Sequence, residues 1–214
     1  MNANTPGNGH GASHNGARAD FEAIAAWIKP GASVLDLGCG DGALLAYLKQ
    51  TRGITGYGVE IDPGNIVACV KNGIDVIQSD LEADLSMFGN ASFDHVILSQ
   101  TLQAMRQTEG IVREMLRVAR EGIVTFPNFG YWRYRLQMLA GRMPVAESLS
   151  YQWYETPNIH LCTIADFETF CDRHQVRILE RLVLSSGKPV EMLPNVFGML
   201  AVYRFERQAP SATT

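Results

Sequence analysis

The sequence lacks the long apolar runs of membrane proteins and the paired cysteines of zinc sites and disulfide scaffolds. No apolar stretch approaches the ~20 residues of a transmembrane helix, and the N-terminus has neither the basic nor the apolar region of a signal peptide. These absences predict no metal site, no membrane association and a cytoplasmic location with reduced thiols. The four thiols, which form no CxxC pair, are Cys39, Cys69, Cys162 and Cys171.

A basic surface is also missing. The chain carries 18 Lys and Arg against 22 Asp and Glu, a formal net charge of -4, and its basic residues are scattered rather than clustered. Binding to a phosphate backbone needs a basic stripe, so a nucleic-acid partner is disfavoured.

The two ends of the chain contain few side chains that can pack. Residues 1–17 are rich in Gly, Asn, Ala and His and hold no large apolar side chain beyond Met1, and residues 208–214 are small and polar. Such segments cannot offset the entropy of ordering. We therefore expect flexible tails over 1–17 and 208–214, and one folded domain over 18–207, since 46% hydrophobic residues suffice for one core.

Between the tails, short apolar runs alternate with helical patterns, which predicts crossover connections and a mainly parallel sheet covered on both faces. The last two runs, Val176–Leu184 and Met199–Phe205, predict a closing antiparallel pair. The remaining strands are predicted at Ser33–Leu37, Tyr57–Ile61, Ile74–Gln78, Phe93–Ser99 and Gly122–Phe126. Helices are predicted over Asp20–Lys29, 42–50, from Pro63 to before Gly73, Ile111–Arg120 and Ile164–His174.

The stretch from Pro127 to Ile159 interrupts this rhythm. It is aromatic and basic, and it is too long for a simple loop between a strand and a helix. We expect it to carry a helix. Its aromatic side chains have three possible roles: a partner surface, a lid over a substrate or ordinary core packing.

A glycine-rich turn follows the first strand, in the sequence Val34-Leu35-Asp36-Leu37-Gly38-Cys39-Gly40-Asp41-Gly42-Ala43. Glycine allows positive φ angles and close approach of a ligand to the backbone, and the following helix presents unpaired N–H groups. Gly38, Gly40 and Ala43 also satisfy the dinucleotide pattern GxGxxG/A, so an NAD site is an alternative.

Three acidic positions favour S-adenosylmethionine over NAD. Asp36 and Asp41 suit a ligand with an ammonium and a sulfonium better than a pyrophosphate. Glu60 ends the second strand, where a carboxylate can accept ribose hydroxyl protons, although NAD folds share this acid. Asp80 follows the third strand and can accept from the adenine amino group while Leu81 packs on the ring; this acid discriminates.

The ordered set of a D/E-x-G-x-G-x-G loop, an acid ending strand two and an acid after strand three resembles the class I methyltransferases. The resemblance implies a Rossmann-like α/β three-layer sandwich with seven strands in the order 3-2-1-4-5-7-6, the last one antiparallel. It implies S-adenosylmethionine or S-adenosylhomocysteine as the cofactor. The predicted binding residues are Asp36, Gly38, Cys39, Gly40, Asp41, Gly42, Glu60, Ile61, Asp80, Leu81, Ser99 and Gln100.

Longer strings in the second half are more specific. Phe126-Pro127-Asn128-Phe129-Gly130-Tyr131-Trp132, Gly141-Arg142-Met143-Pro144, Tyr151-Gln152-Trp153-Tyr154 and Thr156 to Ile164 resemble the MetW family of methionine biosynthesis. The resemblance implies a role beside homoserine O-acyltransferase, an α/β-hydrolase-type enzyme, as a required or regulatory partner. It implies no methyl acceptor.

Catalytic signatures are sparse. The chain has neither an Asn-Pro-Pro-Tyr sequence after strand four nor a Pro-Cys nucleophile, but methyl transfer needs mainly alignment of the reactants. His160 is the best candidate base, and a structural histidine near a helix start is the alternative. Two functions therefore stand: a nucleotide-binding partner of the acyltransferase, or a methyltransferase acting on an unidentified small molecule.

Overall fold

The computed structural model describes residues 14–82, 85–144, 154, 156 and 158–208, with side chains from residue 19 onward. Seven α-helices lie within these ranges: α1 His14–Trp27, α2 Ala43–Arg52, α3 Pro63–Lys71, α4 Thr108–Val118, α5 Trp132–Leu139, α6 Ile164–Arg173 and α7 Pro194–Phe197. The strands are β1 Ser33–Leu37, β2 Thr55–Glu60, β3 Val76–Gln78, β4 Phe93–Ser99, β5 Ala119–Pro127, β6 Val176–Ser185, β7 Lys188–Pro189 and β8 Leu200–Arg207.

The strands form one sheet in the order β3-β2-β1-β4-β5-β8-β6-β7. Strands β1 to β5 pair in parallel, and β8 inserts antiparallel between β5 and β6. This confirms the predicted fold class and the antiparallel closing strand. The described sheet has eight strands rather than seven, because Lys188–Pro189 adds a two-residue strand on β6. So short a strand has no alternating pattern to reveal it.

Helices cover both faces of the sheet, as the three-layer prediction requires. On one face α1, α2 and α3 pack on a core that includes Ile24, Leu45 and Cys69. On the other face α4 and α6 pack on a second core, which includes Met115 and Phe167. Strands β1 and β4 are buried on both faces, which suits the apolar residues at their centres, among them Leu35 and Val96.

Local sequence signals set the helix ends. Asp62 caps α3 by accepting from the Asn65 N–H at 2.9 Å, and Pro63 occupies the first helical position. Thr163 and Asp166 form a reciprocal capping box at α6. Helix α2 ends at Gly53, whose φ of +62° is the left-handed conformation that glycine adopts readily.

Several predicted boundaries differ from the structure by a few residues, and hydrogen bonding or strand pairing explains two of them. The helix predicted to run to Arg120 ends at Val118, because Ala119 already pairs with Phe93 as the first residue of β5. Strand β3 begins at Val76 rather than Ile74, whose N–H donates instead to the carbonyl of Cys69 at the end of α3.

The segment after β5 is organised by Asn128, which is fully buried. Its Nδ2 donates to the carbonyls of Asn195 and Gly198, and its Oδ1 accepts from the N–H groups of Gly130 and Ile164. One amide thus holds β5, α6 and α7 together. The helix expected in this segment is α5.

The aromatic side chains of this segment divide between core and surface. Tyr131 and Tyr134 are buried against each other, whereas Trp132 and Tyr154 are exposed. Core packing therefore accounts for only part of the aromatic string. Tyr151 and Trp153 lie outside the described residues.

Helix α1 begins at His14, within the segment predicted as an N-terminal tail, and residues 1–13 and 209–214 lie outside the described part of the chain. In the described ranges, no helix is long and apolar enough to cross a membrane.

Candidate functional site

The crevice of the sheet opens where β1 and β4 are neighbours. In the sheet, β2 and then β3 follow β1 on one side, and β5 follows β4 on the other side, so the direction of winding reverses between β1 and β4. Ligands of open α/β sheets bind at the carboxyl ends of the strands at such a switch point. The residues that follow β1, β2 and β4 converge there.

The three glycines of the loop after β1 share a backbone conformation but differ in their surroundings. Gly38, Gly40 and Gly42 all have left-handed φ angles, of +69°, +57° and +76°. A Cβ on Gly40 would meet no atom within 4 Å, so that its face is open to a ligand. A Cβ on Gly42 would press on Cys69 and Ile74 at 3.1 Å, so that Gly42 serves the packing of α2 on α3.

The loop is fastened to β2 through backbone and side-chain hydrogen bonds. The N–H groups of Gly38 and Cys39 both donate to the carbonyl of Val59, at 2.8 and 3.1 Å. The N–H of Gly40 donates to Oε2 of Glu60 at 2.9 Å. The loop conformation is therefore held by the end of the neighbouring strand.

Glu60 is buried and already engaged on both oxygens. Its Oε1 accepts from the N–H groups of Ile61 and Asp62 at 2.8 and 2.9 Å, in addition to the bond from Gly40 to Oε2. A carboxylate has about four acceptor sites, so roughly one remains for a ligand. The predicted pair of ribose hydroxyls would have to replace one of these backbone donors.

Asp36 is the anomalous group of the site. It is 2% exposed on β1, and its Oδ1 has no hydrogen-bond partner in the described structure. Burial, together with the negative charge of Glu60, raises the pKa of Asp36 to about 8. A buried carboxyl without a hydrogen-bond donor lowers the stability of the fold. A cationic or hydrogen-donating ligand beside Asp36 would remove this cost.

The other acidic side chains of the predicted set lie at the rim. Asp41 is exposed, and its Oδ1 accepts from the Ala43 N–H at 3.1 Å at the start of α2. Asp80 is also exposed and accepts from the Glu82 N–H at 2.9 Å.

The two predicted apolar contacts differ in burial. Ile61 is 58% exposed beside Glu60. Leu81 is half-buried and packs against the core under α4 and α6. Of the two, Ile61 is the more available to an adenine ring.

At the end of β4, Ser99 and Gln100 are both held by Thr125 of β5. The Ser99 and Thr125 hydroxyls lie 3.0 Å apart, and the Gln100 N–H donates to Thr125. Gln100 adopts a left-handed φ of +50°, an uncommon conformation for a residue other than glycine. Its Nε2 donates to Oδ2 of Asp20 on α1 at 3.4 Å.

Asp20 and Gln103 are site residues that the sequence patterns did not single out. Asp20 is fully buried in the middle of α1, and burial raises its pKa to about 6. Gln103 donates to the Gln100 carbonyl, while its buried Oε1 has no partner among the described atoms. One signal was available for Asp20: it occupies the apolar face of α1, four residues before Ile24.

His160 does not reach the glycine loop through any described contact. It is exposed, its N–H donates to the carbonyl of Gln103 at 3.0 Å, and its Nε2 lies 3.4 Å from the carbonyl of Arg106. These contacts fasten the segment before α6 to the 3-10 turn Leu102–Ala104 that follows β4. They favour the structural interpretation of this histidine over the catalytic one.

Comparison with known proteins decides the family. The model of the methionine biosynthesis protein MetW matches residues 18–205, nearly the whole described chain. The chain belongs to the MetW family. This confirms the resemblance that the aromatic strings had indicated.

A curated relative bears the name MetW together with a second name, MetXA. The chain is 38% identical over 203 residues to the bifunctional methionine biosynthesis protein MetXA/MetW of Rhodopirellula baltica. The match covers 88% of this chain and 33% of the relative, so the chain spans about a third of that protein's length.

Solved structures share the methyltransferase fold. A chain from the complex between the Haloferax volcanii Trm112 methyltransferase activator and a methyltransferase superposes with a TM-score of 0.68 at 14% identity, covering 93% of this chain and 92% of that one. An S-adenosylmethionine-dependent methyltransferase of Mesorhizobium loti gives 0.66 at 16% identity, covering 88% and 98%. The [4+2]-cyclase SpnF gives 0.63 at 17% identity, covering 91% and 82%. At these identities the likeness concerns the fold alone, and SpnF illustrates that one fold hosts different reactions.

Proposed function

We propose that this MetW-family chain binds S-adenosylmethionine at the glycine loop and acts beside homoserine O-acyltransferase in methionine biosynthesis, as a required or regulatory partner. The observation that carries the binding proposal is the buried, unpartnered carboxyl of Asp36 next to an open loop.

The charges of the cleft fit a cationic nucleoside. Asp20, Asp36 and Glu60 are buried near the carboxyl ends of β1, β2 and β4, and no described Lys or Arg forms an ion pair with them. An ammonium or sulfonium group lowers the free energy of such carboxylates, whereas a pyrophosphate raises it. This supports S-adenosylmethionine over the dinucleotide alternative.

The residues present can hold each part of the ligand. Gly40 offers close backbone approach, Asp36 attracts the ammonium end, and Glu60 has an acceptor site left for one ribose hydroxyl. Ile61 and Asp80, exposed after β2 and β3, would flank the adenine. When bound, S-adenosylmethionine supplies a methyl group activated by its sulfonium.

The partnership with the acyltransferase is supported by the fused relative, whose name joins MetXA and MetW in one chain. A domain that binds a product derived from methionine can report its level to an enzyme of the pathway if two conformations bind the nucleotide with different affinity.

Helix α5 offers a contact surface for such a partner. Leu136 and Leu139 lie three residues apart on one face of the helix and are 54% and 84% exposed, while Tyr134, on the other side of the helix from Leu136, is buried. Exposed apolar patches on soluble domains often mark interaction sites. We therefore assign the acyltransferase contact to α5.

Calorimetric titration with S-adenosylmethionine, S-adenosylhomocysteine and NAD tests the ligand. We expect binding of the first two and none of NAD. Failure of both sulfur nucleosides to bind would refute the site.

Co-purification with the homoserine O-acyltransferase of the same organism, with and without S-adenosylmethionine, tests the partner. Leu139→Glu on α5 should abolish the complex, whereas Val70→Glu, an equally drastic change at a residue 65% exposed on α3, should leave it intact. Absence of a complex together with unchanged acyl transfer would contradict the partnership.

The second candidate, a methyltransferase acting on a small molecule, is favoured by the fold shared with such enzymes and by the glycine loop. Incubation with methyl-labelled S-adenosylmethionine and a pool of metabolites distinguishes the two. Acceptor-dependent label transfer would establish the enzyme, and binding without transfer would favour the partner function.

A further inference from the structure

Two thiols lie in contact beneath the glycine loop. The Sγ atoms of Cys39, within the loop, and of Cys69, on α3, are 3.7 Å apart, and both side chains are buried. Cys69 also donates from Sγ to the carbonyl of Gly40 at 3.1 Å. The two residues are 30 positions apart in sequence, so only the fold brings them together.

The neighbouring backbone makes room for this pair. A Cβ on Gly58 of β2 would lie 2.3 Å from the Cys39 sulfur, so the absence of a side chain at Gly58 lets the thiol lie against β2. Gly40, next to Cys39, has open space around it. A glycine on that flank allows the Cys39 backbone to move toward α3.

We propose that Cys39 and Cys69 form a reversible disulfide that weakens nucleotide binding at the glycine loop. An S–S bond of about 2.05 Å requires the sulfurs to approach from their present 3.7 Å, a short displacement for a loop flanked by glycines. The formation of the bond stands on this geometry alone, and its effect on binding rests on the function proposed above.

The reaction needs a small-molecule disulfide as oxidant. The sulfur of Cys39 attacks R–S–S–R and releases one R–SH, and the sulfur of Cys69 then displaces the second R–SH from the mixed disulfide. The two cysteines lose two electrons and two protons, which end in the two released thiols.

The surroundings of the pair govern the rate of this exchange. Burial, aided by the nearby carboxylates of Asp36 and Glu60, raises the pKa of both thiols, so that they remain protonated near neutral pH. Since the thiolate is the reactive form, oxidation should accelerate as the pH rises.

Disulfide formation would disturb the loop in two ways. Cys69 would lose the thiol proton that it donates to the Gly40 carbonyl, and Cys39 would be drawn away from β2, where its N–H bonds Val59. The Gly40 N–H donates to Glu60, so movement of the loop would also shift Glu60, the residue assigned to the ribose.

The test oxidises the full chain with oxidised glutathione at about pH 9, where thiolates are more abundant. Peptide mass spectrometry should show the peptides of Cys39 and Cys69 joined with the loss of two hydrogen atoms. Titration with S-adenosylmethionine should then show affinity at least about tenfold lower, a difference of about 1.4 kcal/mol, and dithiothreitol should restore it. Ligand added before the oxidant should slow the reaction.

Matched variants separate this pair from the other thiols. In Cys69→Ser, which keeps a donor for the Gly40 carbonyl, and in Cys39→Ser, oxidant should no longer alter affinity relative to the same untreated variant. Cys162→Ser retains the pair and should respond as the wild type does. Absence of the joined peptide, or a joined peptide with unchanged affinity, would overturn the proposal; a reduced wild type that fails to bind S-adenosylmethionine would instead refute the proposed function.

Discussion

Acidic side chains lie near both ends of the parallel strands, but only one end provides a cation for them. Toward the amino ends, Arg204 of β8 donates to Glu121 at 3.1 Å and to Glu180, and His95 lies 3.4 Å from Glu121. Toward the carboxyl ends, Asp36 has an unpartnered oxygen, and Asp20 has a weak bond from Gln100.

The difference separates an arrangement that stabilises the fold from one that is complete only with a ligand. The Arg204 cluster joins three strands, β5, β6 and β8, and gives both glutamates a cationic partner. The Asp36 group lowers the stability of the chain by itself, because an unpaired buried carboxyl carries a desolvation cost. Uncompensated burial at a strand end is therefore the stronger indication of a binding site.

The largest expected effect on nucleotide affinity is at the glycine loop, at the carboxyl ends of the parallel strands. Gly40→Val should reduce affinity for S-adenosylmethionine by more than about a hundredfold, or about 2.7 kcal/mol, because a branched side chain fills the ligand side of a left-handed residue. Gly53→Val is the control, since Gly53 has a similar φ of +62° and equally open surroundings but ends α2 away from the loop. Both should lose about 1 to 2 kcal/mol of stability; equal loss of affinity in both would place the ligand elsewhere. Calorimetry and urea unfolding provide the two measurements.

Asp36→Asn should change the pH dependence of stability. With a folded-state pKa of about 8 against an ordinary 3.8, the folded chain holds a proton that the unfolded chain releases, so stability falls as pH rises from about 4 to 8. The full cost is on the order of 5 kcal/mol above that range. Asparagine removes this slope and, in the ligand-free protein, should raise the melting temperature at pH 8 while weakening nucleotide binding about tenfold.

Asp94 contributes to the pH dependence of stability with the opposite sign, which the variant Asp94→Asn tests. Hydrogen bonds from Ser33 lower the pKa of Asp94, so that its contribution is present above its unfolded pKa and is lost as pH falls. This variant should be less stable than the wild type at neutral pH. A melting temperature of Asp36→Asn that follows pH as the wild type does would contradict the assignment of the buried carboxyl.

Arg204→Met removes the ion pairs near the amino ends of the parallel strands. It leaves Glu121 and Glu180 facing each other without their shared cation, and should cost about 1 to 3 kcal/mol of unfolding free energy while nucleotide affinity stays within a factor of about two. Urea denaturation and calorimetry measure the two quantities. A loss of affinity comparable to that of Gly40→Val would show that the two ends are coupled.

The smallest effect is expected at His160→Asn. The exposed ring contacts only the Arg106 carbonyl among its described partners, so stability and affinity should each change by less than about 0.5 kcal/mol. Loss of methyl transfer to any acceptor in this variant, with unchanged nucleotide affinity, would restore the catalytic interpretation.

The strand order was implied by the resemblance to the class I methyltransferases, whereas the sequence by itself determined the strands of the sheet and the position of the glycine loop. These follow from patterns within about ten residues: apolar runs for β1 and β4, Gly38 and Gly40 for the turn, and Glu60 at the end of β2. The aromatic strings after β5 likewise identified the family, because such strings are unusual and local.

Only the tertiary structure decided which of these groups are satisfied. Asp36 and Glu60 look alike as acids at strand ends, yet Glu60 accepts three backbone N–H groups and Asp36 is left with an unpartnered oxygen. Asp20 reaches Gln100 across 80 residues, and Cys39 meets Cys69 across 30. Such contacts depend on how α1 and α3 pack on the sheet, which no local pattern records, since helix packing is set by side chains distant in sequence.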